Sequence, residues 1–348
     1  MNNHSKFNYN FHDILKIESD VDLGTPFFEV DDIEPDLIVN VVNDFKVGEL
    51  NNMVRLGNTF FGQYNKDYIY YSTSLLKQKF KLYLKNIQKK ETLVICNRNY
   101  YRYIRLPLVF SIPFTTLVWK IAWVKALQKG FTFQHSACIA SGQDSILILG
   151  FSNTGKTRTT FSCLVRDNNL KYLADDVILL DGKGQAYSNF TRISARVLKS
   201  IGLRVPLKNK VGIVLEDIML SPFSYFVGPL KIAAYNVENI FGRSRIQESA
   251  KVRAILFLER GEDKIEELDK DEAIRKMLLQ TREGLAPHFS QLNILIYYSY
   301  LNPDFKLYRL EKDERKIITK VVENSHPFII RSKNGDFIDP TMRIIHRI

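Results

Sequence analysis

One short segment of the chain has the residue types and the spacing that bind phosphate. Residues 150–157 read GFSNTGKT and match the pattern G-x-x-x-x-G-K-[ST] at every specified position. The glycines let the backbone wrap closely around phosphate oxygens, with successive N–H groups aimed inward. Lys156 can reach the β- and γ-phosphates of a nucleotide, and the Thr157 hydroxyl can hold Mg²⁺.

The flanking residues support a phosphate-binding loop. An apolar run at residues 146–149 predicts a strand before the loop, and residues 156–166 predict a helix after it. The N-terminus of that helix adds partial positive charge. We therefore predict a nucleotide as the ligand, and an ordinary strand–turn–helix corner is the alternative. The predicted nucleotide-binding residues are Gly150, Phe151, Ser152, Asn153, Thr154, Gly155, Lys156, Thr157 and Arg158.

Two adjacent carboxylates, Asp175 and Asp176, follow Lys156 by 19 and 20 residues and lie between two apolar runs. Burying them is costly unless a cation or hydrogen bonds meet them. Consecutive strand side chains point to opposite faces, so the backbone must bend here if both serve one site. One carboxylate could hold Mg²⁺ while the other accepts the proton of an attacking hydroxyl. A polar loop between two strands is the alternative.

A third candidate is His135, which lies 15 residues before Gly150 in a run that predicts a strand. A lone histidine in a strand is more often a hydrogen-bonded core residue than a catalytic one. From the residues alone, both interpretations stay open.

Together these residues resemble the HPr kinase family. Its relatives include kinase-like proteins of peptide-maturation clusters and, more distantly, phosphoenolpyruvate carboxykinases. The resemblance is carried by residues 135–157, HSACIASGQDSILILGFSNTGKT, and by residues 172–180, YLADDVILL. It implies a P-loop HPr-kinase-like nucleotide-binding domain that uses ATP and Mg²⁺.

The resemblance also implies a role for each candidate residue. Lys156 would bind phosphate, and Thr157 and Asp175 would hold Mg²⁺. Asp176 would be the general base, and His135 would lie beside the transferred phosphoryl group. The predicted catalytic residues are therefore Asp176, His135 and Lys156.

The chain departs from the family pattern at two places. HPr kinases have a glutamate directly after the loop serine, whereas Arg158 follows Thr157 here. They also carry a Glu-Ile-Arg-Gly signature, and the corresponding residues 230–237 read LKIAAYNV. These differences argue against kinase and phosphorylase activity on HPr itself, and they leave the acceptor open.

The order of predicted elements favours an α/β fold with two domains. A smaller strand-rich α+β domain at residues 1–125 precedes the nucleotide-binding domain at residues 126–348. The predicted strands are residues 36–42, 67–71, 92–96, 131–140, 145–149, 172–174, 177–180, 252–258 and 292–298. The predicted helices are residues 75–89, 117–129, 156–166 and 271–280.

Composition and charge exclude several classes of protein. Hydrophobic residues make up 45% and charged residues 25%, which excludes disordered and collagen-like chains. The three cysteines have no short spacing, which excludes a cysteine-based zinc site and favours the reducing cytoplasm. Residues 1–49 carry 3 lysines and 11 acidic residues, whereas the remainder carries 46 basic and 27 acidic residues. The positive charge of residues 50–348 is explained equally well by an anionic ligand and by a lysine-rich, solvated surface.

Weaker features concern nucleic acid and membranes. Residues 98–105 interleave aromatic and basic side chains, as nucleic-acid surfaces do, but an amphipathic edge strand explains them equally well. We do not favour a nucleic-acid partner.

The uncharged run at residues 106–119 is shorter than the ~20 residues that a membrane-spanning helix needs, so we expect no span. Arg243, Arg245, Lys251 and Arg253 could clamp phosphates or form a solvated face.

We therefore expect Mg²⁺-dependent transfer of the γ-phosphoryl group of ATP to a hydroxyl. The acceptor would be a serine of a protein or peptide, or a small molecule. The main alternative is a non-catalytic scaffold or regulatory protein that binds ATP or GTP, and a nucleic-acid-linked NTPase is a third. The oligomeric state stays open, with a homo-oligomer as one option.

Overall fold

The computed structural model describes most of the chain as two compact units. The described residues are 6–23, 28–48, 52–75, 77–103, 114–189, 192–194, 198–199, 201–202, 234–284 and 292–347. The first unit comprises the described residues of Met1–Lys129 and Ala286–Asp313, and the second those of Gly130–Leu285 and Glu314–Ile348. The predicted division had assigned residues 286–313 to the second domain. Each unit contains helices and one large mixed sheet, so the fold is mixed α/β.

The strands are numbered in chain order. They are β1 Phe7–Phe11, β2 Leu15–Ser19, β3 Glu29–Val30, β4 Leu37–Val42, β5 Val54–Leu56, β6 Phe60–Gly62, β7 Tyr68–Leu75, β8 Gln78–Lys85, β9 Thr92–Asn97, β10 Phe131–Gln134, β11 Ala137–Ser141, β12 Asp144–Leu149, β13 Leu170–Ala174, β14 Ile178–Asp181, β15 Gln185–Tyr187, β16 Arg192–Ser194, β17 Ala234–Asn236, β18 Ser249–Arg260, β19 Lys264–Glu267 and β20 His326–Ser332.

The helices are numbered in the same way. They are α1 Arg98–Tyr103, α2 Phe114–Gln128, α3 Lys156–Arg166, α4 Val237–Phe241, α5 Lys270–Gly284, α6 Leu292–Leu301, α7 Leu307–Glu323 and α8 Ile338–Ile345, with a 3₁₀ turn at Arg243–Arg245. In the described part of the chain, no helix is long and apolar enough to cross a membrane.

The first unit is built on a sheet with strand order β3-β1-β2-β4-β9-β8-β7-β6-β5. The predicted helix at residues 75–89 is wrong, because β7 and β8 form an antiparallel hairpin there. Phe80, Leu82 and Leu84 are buried at every second position, which is the period of a strand. The same apolar residues are also spaced three or four apart, which had suggested a helix. Hydrogen bonding of β8 to β9 favours the strand.

Residues 98–103 form helix α1, so an edge strand, one of the two interpretations left open for residues 98–105, is wrong for these six residues. Asn97 Oδ1 accepts a hydrogen bond from the backbone N–H of Tyr100 at 3.0 Å, as an N-cap residue does. Tyr100 is buried, and its ring packs edge-on against the rings of Tyr71 and Phe114. At least this aromatic side chain of the segment therefore belongs to the core.

The predicted strand at residues 292–298 is wrong as well, because helix α6 occupies this segment. Ile294, Leu295, Tyr298 and Leu301 are buried at helical spacing. A short apolar run fits a buried strand and a buried helix alike, so the sequence could not separate them. The helix predicted at residues 117–129 is confirmed as α2, with Gly130 at a φ of +85° just beyond its end.

The second unit is built on a sheet with strand order β10-β14-β15-β18-β12-β11-β13, and β20 pairs with β18. Strands β12, β18 and β20 run parallel. In β12 and β18 the apolar stretches at residues 146–149 and 254–258 are buried on both faces, as is usual for central parallel strands. The predicted strand at residues 131–140 is interrupted at residues 135–136, which separates β10 from β11. The helices at residues 156–166 and 271–280 are confirmed as α3 and part of α5.

Candidate functional site

Residues 150–155 form a loop between strand β12 and helix α3. A Cβ atom on Gly150 would lie 3.2 Å from the carbonyl oxygen of Leu258 and 3.2 Å from the Cβ of Thr154. Gly155, at the start of α3, has a φ of +117°, a conformation that side chains with a Cβ rarely adopt. Both glycines of the motif are therefore required by the path of the backbone.

The loop is held in a compact turn. The backbone N–H and the hydroxyl of Thr154 both donate to the carbonyl oxygen of Phe151, at 3.1 Å and 2.6 Å. Asn153 has a φ of +64°, which asparagine tolerates better than most residues. The tip of the loop, Phe151, Ser152 and Asn153, is exposed, as is Arg158 on the first turn of α3. The helix N-terminus adds partial positive charge at the end of this loop.

The Lys156 side chain is folded back over the loop. Its Nζ donates to the carbonyl oxygen of Gly150 at 2.5 Å and lies 3.2 Å from His135 Nε2. The side chain is 8% exposed, so this ammonium group is held in place by the protein. A phosphate group that approached the loop could exchange with the carbonyl and imidazole contacts of Lys156.

His135 lies in the break between β10 and β11 and contacts Asp176 as well. His135 Nε2 is 3.1 Å from Asp176 Oδ1. The histidine side chain is 11% exposed and the aspartate side chain 67% exposed, so the carboxylate faces solvent. Asp176 has a φ of +107°, and strained conformations of this kind cost about 1–3 kcal/mol and cluster at functional sites.

Asp175 lies deeper than its neighbour, and one of its carboxyl oxygens has no solvent contact. Burial raises the pKa of Asp175 to about 7, and the nearby charge of Asp176 acts in the same direction. A hydrogen bond from the Thr157 hydroxyl opposes this rise. The positive charge of Lys156 opposes it further. The carboxylate form of Asp175 is therefore costly until a positive charge joins it.

The backbone bend that the sequence analysis required is present at the aspartate pair. Because of this bend, the Asp175 carboxyl group accepts a hydrogen bond from Thr157, while the Asp176 carboxylate contacts His135. His135 in turn contacts Lys156. The structure thus brings together all five residues that the sequence analysis placed in chemical roles.

The residues also fit a magnesium ion. Thr157 and Asp175 present adjacent oxygen atoms, and a cation would lower the cost of ionising Asp175. In the described part of the chain, no group of three or more His, Cys, Asp or Glu side chains could hold a metal ion. Mg²⁺ needs no such cage, since it binds through one or two carboxylates together with waters and substrate phosphates.

The structure gives Arg245 a set of backbone contacts that the sequence analysis, which only grouped it with other cations, did not predict. Its guanidinium donates to the carbonyl oxygens of Leu164 at 2.6 Å, Asp167 at 3.0 Å and Leu170 at 2.8 Å, and to Asn168 Oδ1 at 2.9 Å. These acceptors lie at the end of α3 and at the start of β13, which leads to the aspartate pair. Nothing in the local sequence distinguishes Arg245 from its neighbours.

Two of the other three cations in this group form ion pairs. Arg253 pairs with Asp144 at 2.7 Å, and Arg243 lies 3.4 Å from Glu248. Of the segment that corresponds to the Glu-Ile-Arg-Gly signature, residues 230–233 lie outside the described residues, and residues 234–237 enter β17 and α4.

Comparisons with known proteins add little. No protein-family model matches the chain, and no curated protein matches it. Among solved structures, the chain is similar to the HPr(Ser) kinase/phosphatase from Coxiella burnetii at 14% sequence identity. The match covers 39% of this chain and 77% of that chain, with a TM-score of 0.25. A TM-score this low supports no conclusion about the fold or the function of this chain.

Proposed function

We propose that this chain is an Mg²⁺-dependent phosphotransferase that moves the γ-phosphoryl group of ATP to a hydroxyl group. The observation that supports it most is the continuous contact from Lys156 through His135 to Asp176 beside the glycine loop. A phosphate-binding lysine and an exposed carboxylate are thus joined by one imidazole ring.

In this proposal the glycine loop and Lys156 bind the nucleotide. The backbone of residues 150–155 and the N-terminus of α3 receive the phosphates, and Lys156 adds a charge-assisted hydrogen bond. Thr157 and Asp175 hold Mg²⁺, which neutralises negative charge on the phosphates when it is bound. Asp175 is suited to this because burial makes its ionised form costly, and a bound cation would offset that cost.

In this proposal Asp176 is the general base that deprotonates the acceptor hydroxyl. It accepts the proton of the attacking hydroxyl as the new oxygen–phosphorus bond forms and the bond between the γ-phosphorus and its bridging oxygen breaks, which leaves ADP. Because its side chain is 67% exposed, an acceptor that is itself a protein or peptide can reach it. His135, whose Nε2 lies 3.1 Å from Asp176 Oδ1, orients the carboxylate. A serine hydroxyl is the acceptor that we propose first, and a small-molecule hydroxyl is the second.

The experiment is a search for the labelled acceptor. Purified protein, Mg²⁺ and ATP labelled at the γ-phosphate are incubated with a cell extract, in parallel with the Asp176→Asn protein. We expect a labelled product that requires the parent protein and is nearly absent with Asp176→Asn. If both proteins bind ATP and neither labels any acceptor above background, the chain is a nucleotide-binding scaffold and the proposal is wrong.

A further inference from the structure

The first unit contains a second concentration of charge, in a cavity of about 390 Å³. Six cations line it, namely Lys89, Lys90, Lys125, Lys129, Lys306 and Arg309. The acidic lining residues are Asp36 and Asp304. The lining thus has an excess of four positive charges, although the first 49 residues of the chain are acidic.

Part of this charge is already balanced. Lys129 pairs with Asp36 at 2.6 Å, and Lys90 pairs with Glu34 at 2.5 Å. Within the described residues, the other four lining cations form no ion pair. Two of these are exposed: Lys306 directly precedes α7, and Arg309 lies in its first turn. The uncompensated charge therefore lies partly at the rim of the cavity.

The remaining charge includes a buried lysine. The Lys125 side chain is 3% exposed, and its Nζ donates to the carbonyl oxygen of Lys89 at 2.5 Å. Burial lowers the pKa of Lys125, the attraction of Asp36 and Asp67 opposes this, and the like charge of Lys129 adds to it. A buried ammonium that forms no direct ion pair is costly, so proteins normally pair it.

The remaining lining suits a small organic molecule. Phe305 and Leu310 supply apolar surface, and Gln88 and Gln128 supply amide groups. A cavity of this volume lies within the usual range of about 300–1,000 Å³ for small-molecule sites. A solvated basic face would present its cations on an open surface, without a buried lysine beneath them.

We infer that this cavity is a binding site for a small organic anion that carries at least two negative charges, in phosphate or carboxylate groups. One anionic group would lie against Lys125, where burial strengthens its attraction, and the other would meet Lys306 and Arg309 at the rim. The inference does not depend on the proposed function, because every residue it uses belongs to the first unit and none belongs to the glycine loop.

The test uses the full chain with Lys156→Met, so that the glycine loop does not take up the probe. Pyrophosphate and citrate are titrated separately by calorimetry, as a phosphate-type and a carboxylate-type probe. The rim is neutralised by Lys306→Gln together with Arg309→Gln, both exposed positions. The matched control is Lys66→Gln, an exposed turn lysine in the same unit that does not line the cavity.

We expect at least one probe to bind with a submillimolar dissociation constant and to bind less tightly as salt is added. The rim variant should weaken binding by at least about tenfold, which corresponds to roughly 1.4 kcal/mol, whereas the control should not change it. The tighter of the two probes identifies the class of anion. Absence of binding for both probes at millimolar concentration, or equal affinity in the rim variant and the control, would overturn the inference.

Discussion

His135 Nε2 lies 3.1 Å from Asp176 Oδ1, and the same ring nitrogen lies 3.2 Å from Lys156 Nζ. A nitrogen that carries a proton donates to the carboxylate, whereas a nitrogen without one accepts from the ammonium group. It cannot do both at once. If Lys156 turned towards a phosphate, Nε2 would lose this donor and, once it carries a proton, could donate to Asp176, so the proposed nucleotide binding and the orientation of the proposed base would be linked through one imidazole.

The first prediction concerns Lys156. Because its side chain is buried, Lys156→Met removes the charge while keeping most of the packing. We expect the affinity for Mg·ATP to fall by about a hundredfold, or roughly 3 kcal/mol, since charge-assisted hydrogen bonds to phosphate are lost. Calorimetric titration measures this change. The matched control is Lys183→Met at an exposed turn of the same unit, which should bind ATP as the parent does.

Equal ATP affinity in the Lys156→Met protein and the control would show that residues 150–157 do not bind the nucleotide. Thermal unfolding of both variants accompanies the titration. A folded Lys156→Met protein ensures that the loss of binding reflects the missing charge.

The second prediction separates the two carboxylates. Asp176→Asn keeps the size of the side chain but removes the base, so phosphoryl transfer should fall by about 10²-fold or more while ATP affinity changes little. Turnover of the acceptor and ATP titration together measure the two effects. Glu262→Gln, at an exposed position of the same unit, is the control for loss of one negative charge. Unchanged turnover in Asp176→Asn would remove this residue from the proposed chemistry.

The local site could be predicted from the sequence much better than the architecture around it. The loop and α3 follow from residues 146–166, because glycines, lysine and a periodic apolar pattern lie close together in the chain. The bend at Asp176 follows from the alternation of strand side chains, because two consecutive carboxylates can serve one site only if the backbone bends. The contact between His135 and Lys156 joins residues 21 positions apart, and only the resemblance to a known family had suggested it.

The errors have a common physical cause. In β8 and α6, short apolar runs satisfy the periods of strand and helix together, and packing against distant segments decides between them. Tyr298 in α6 donates a hydrogen bond to Asp67, a contact between residues 231 positions apart. No local pattern contains such information, and the same holds for Arg245 and for the basic cavity, whose residues come from four separate stretches of the chain.

The third prediction concerns pH and Mg²⁺. The pKa of Asp175 is raised from 3.8 to about 7 in the folded chain, so the unfolded state releases this proton at a lower pH. Without Mg²⁺, this group therefore stabilises the fold below about pH 4, and its contribution is lost as the pH rises towards 7. Between those values the melting temperature of the parent should fall relative to that of Asp175→Asn, measured in the same buffers.

Mg²⁺ and the proton compete for the same carboxylate. Below pH 7, the affinity for Mg²⁺ in the presence of ATP should fall by up to about tenfold for each unit of pH, and above pH 7 it should level off. Asp175→Asn should bind Mg²⁺ weakly and with little dependence on pH. A parent protein whose Mg²⁺ affinity is flat between pH 5 and 8 would contradict the assignment of Asp175 as a metal ligand.

The last prediction tests the positioning role of Arg245. Its guanidinium donates to three backbone carbonyls and to Asn168 Oδ1, so Arg245→Met leaves the end of α3 and the start of β13 without these donors. We expect the free energy of unfolding to fall by about 2–3 kcal/mol, measured by chemical denaturation, because hydrogen bonds from a charged group are lost at half-buried carbonyls. Arg243→Met is the matched control two residues away.

The Arg243 side chain is 55% exposed and pairs with Glu238 and Glu248 at the surface, so its loss should cost less than about 1 kcal/mol. A positioning role also predicts that Arg245→Met lowers turnover more than it raises the KM for ATP, because β13 carries the chain to Asp175 and Asp176 while the glycine loop lies at the opposite end of α3. Equal stability of the two arginine variants would show that the contacts of Arg245 do not stabilise the connection between α3 and β13.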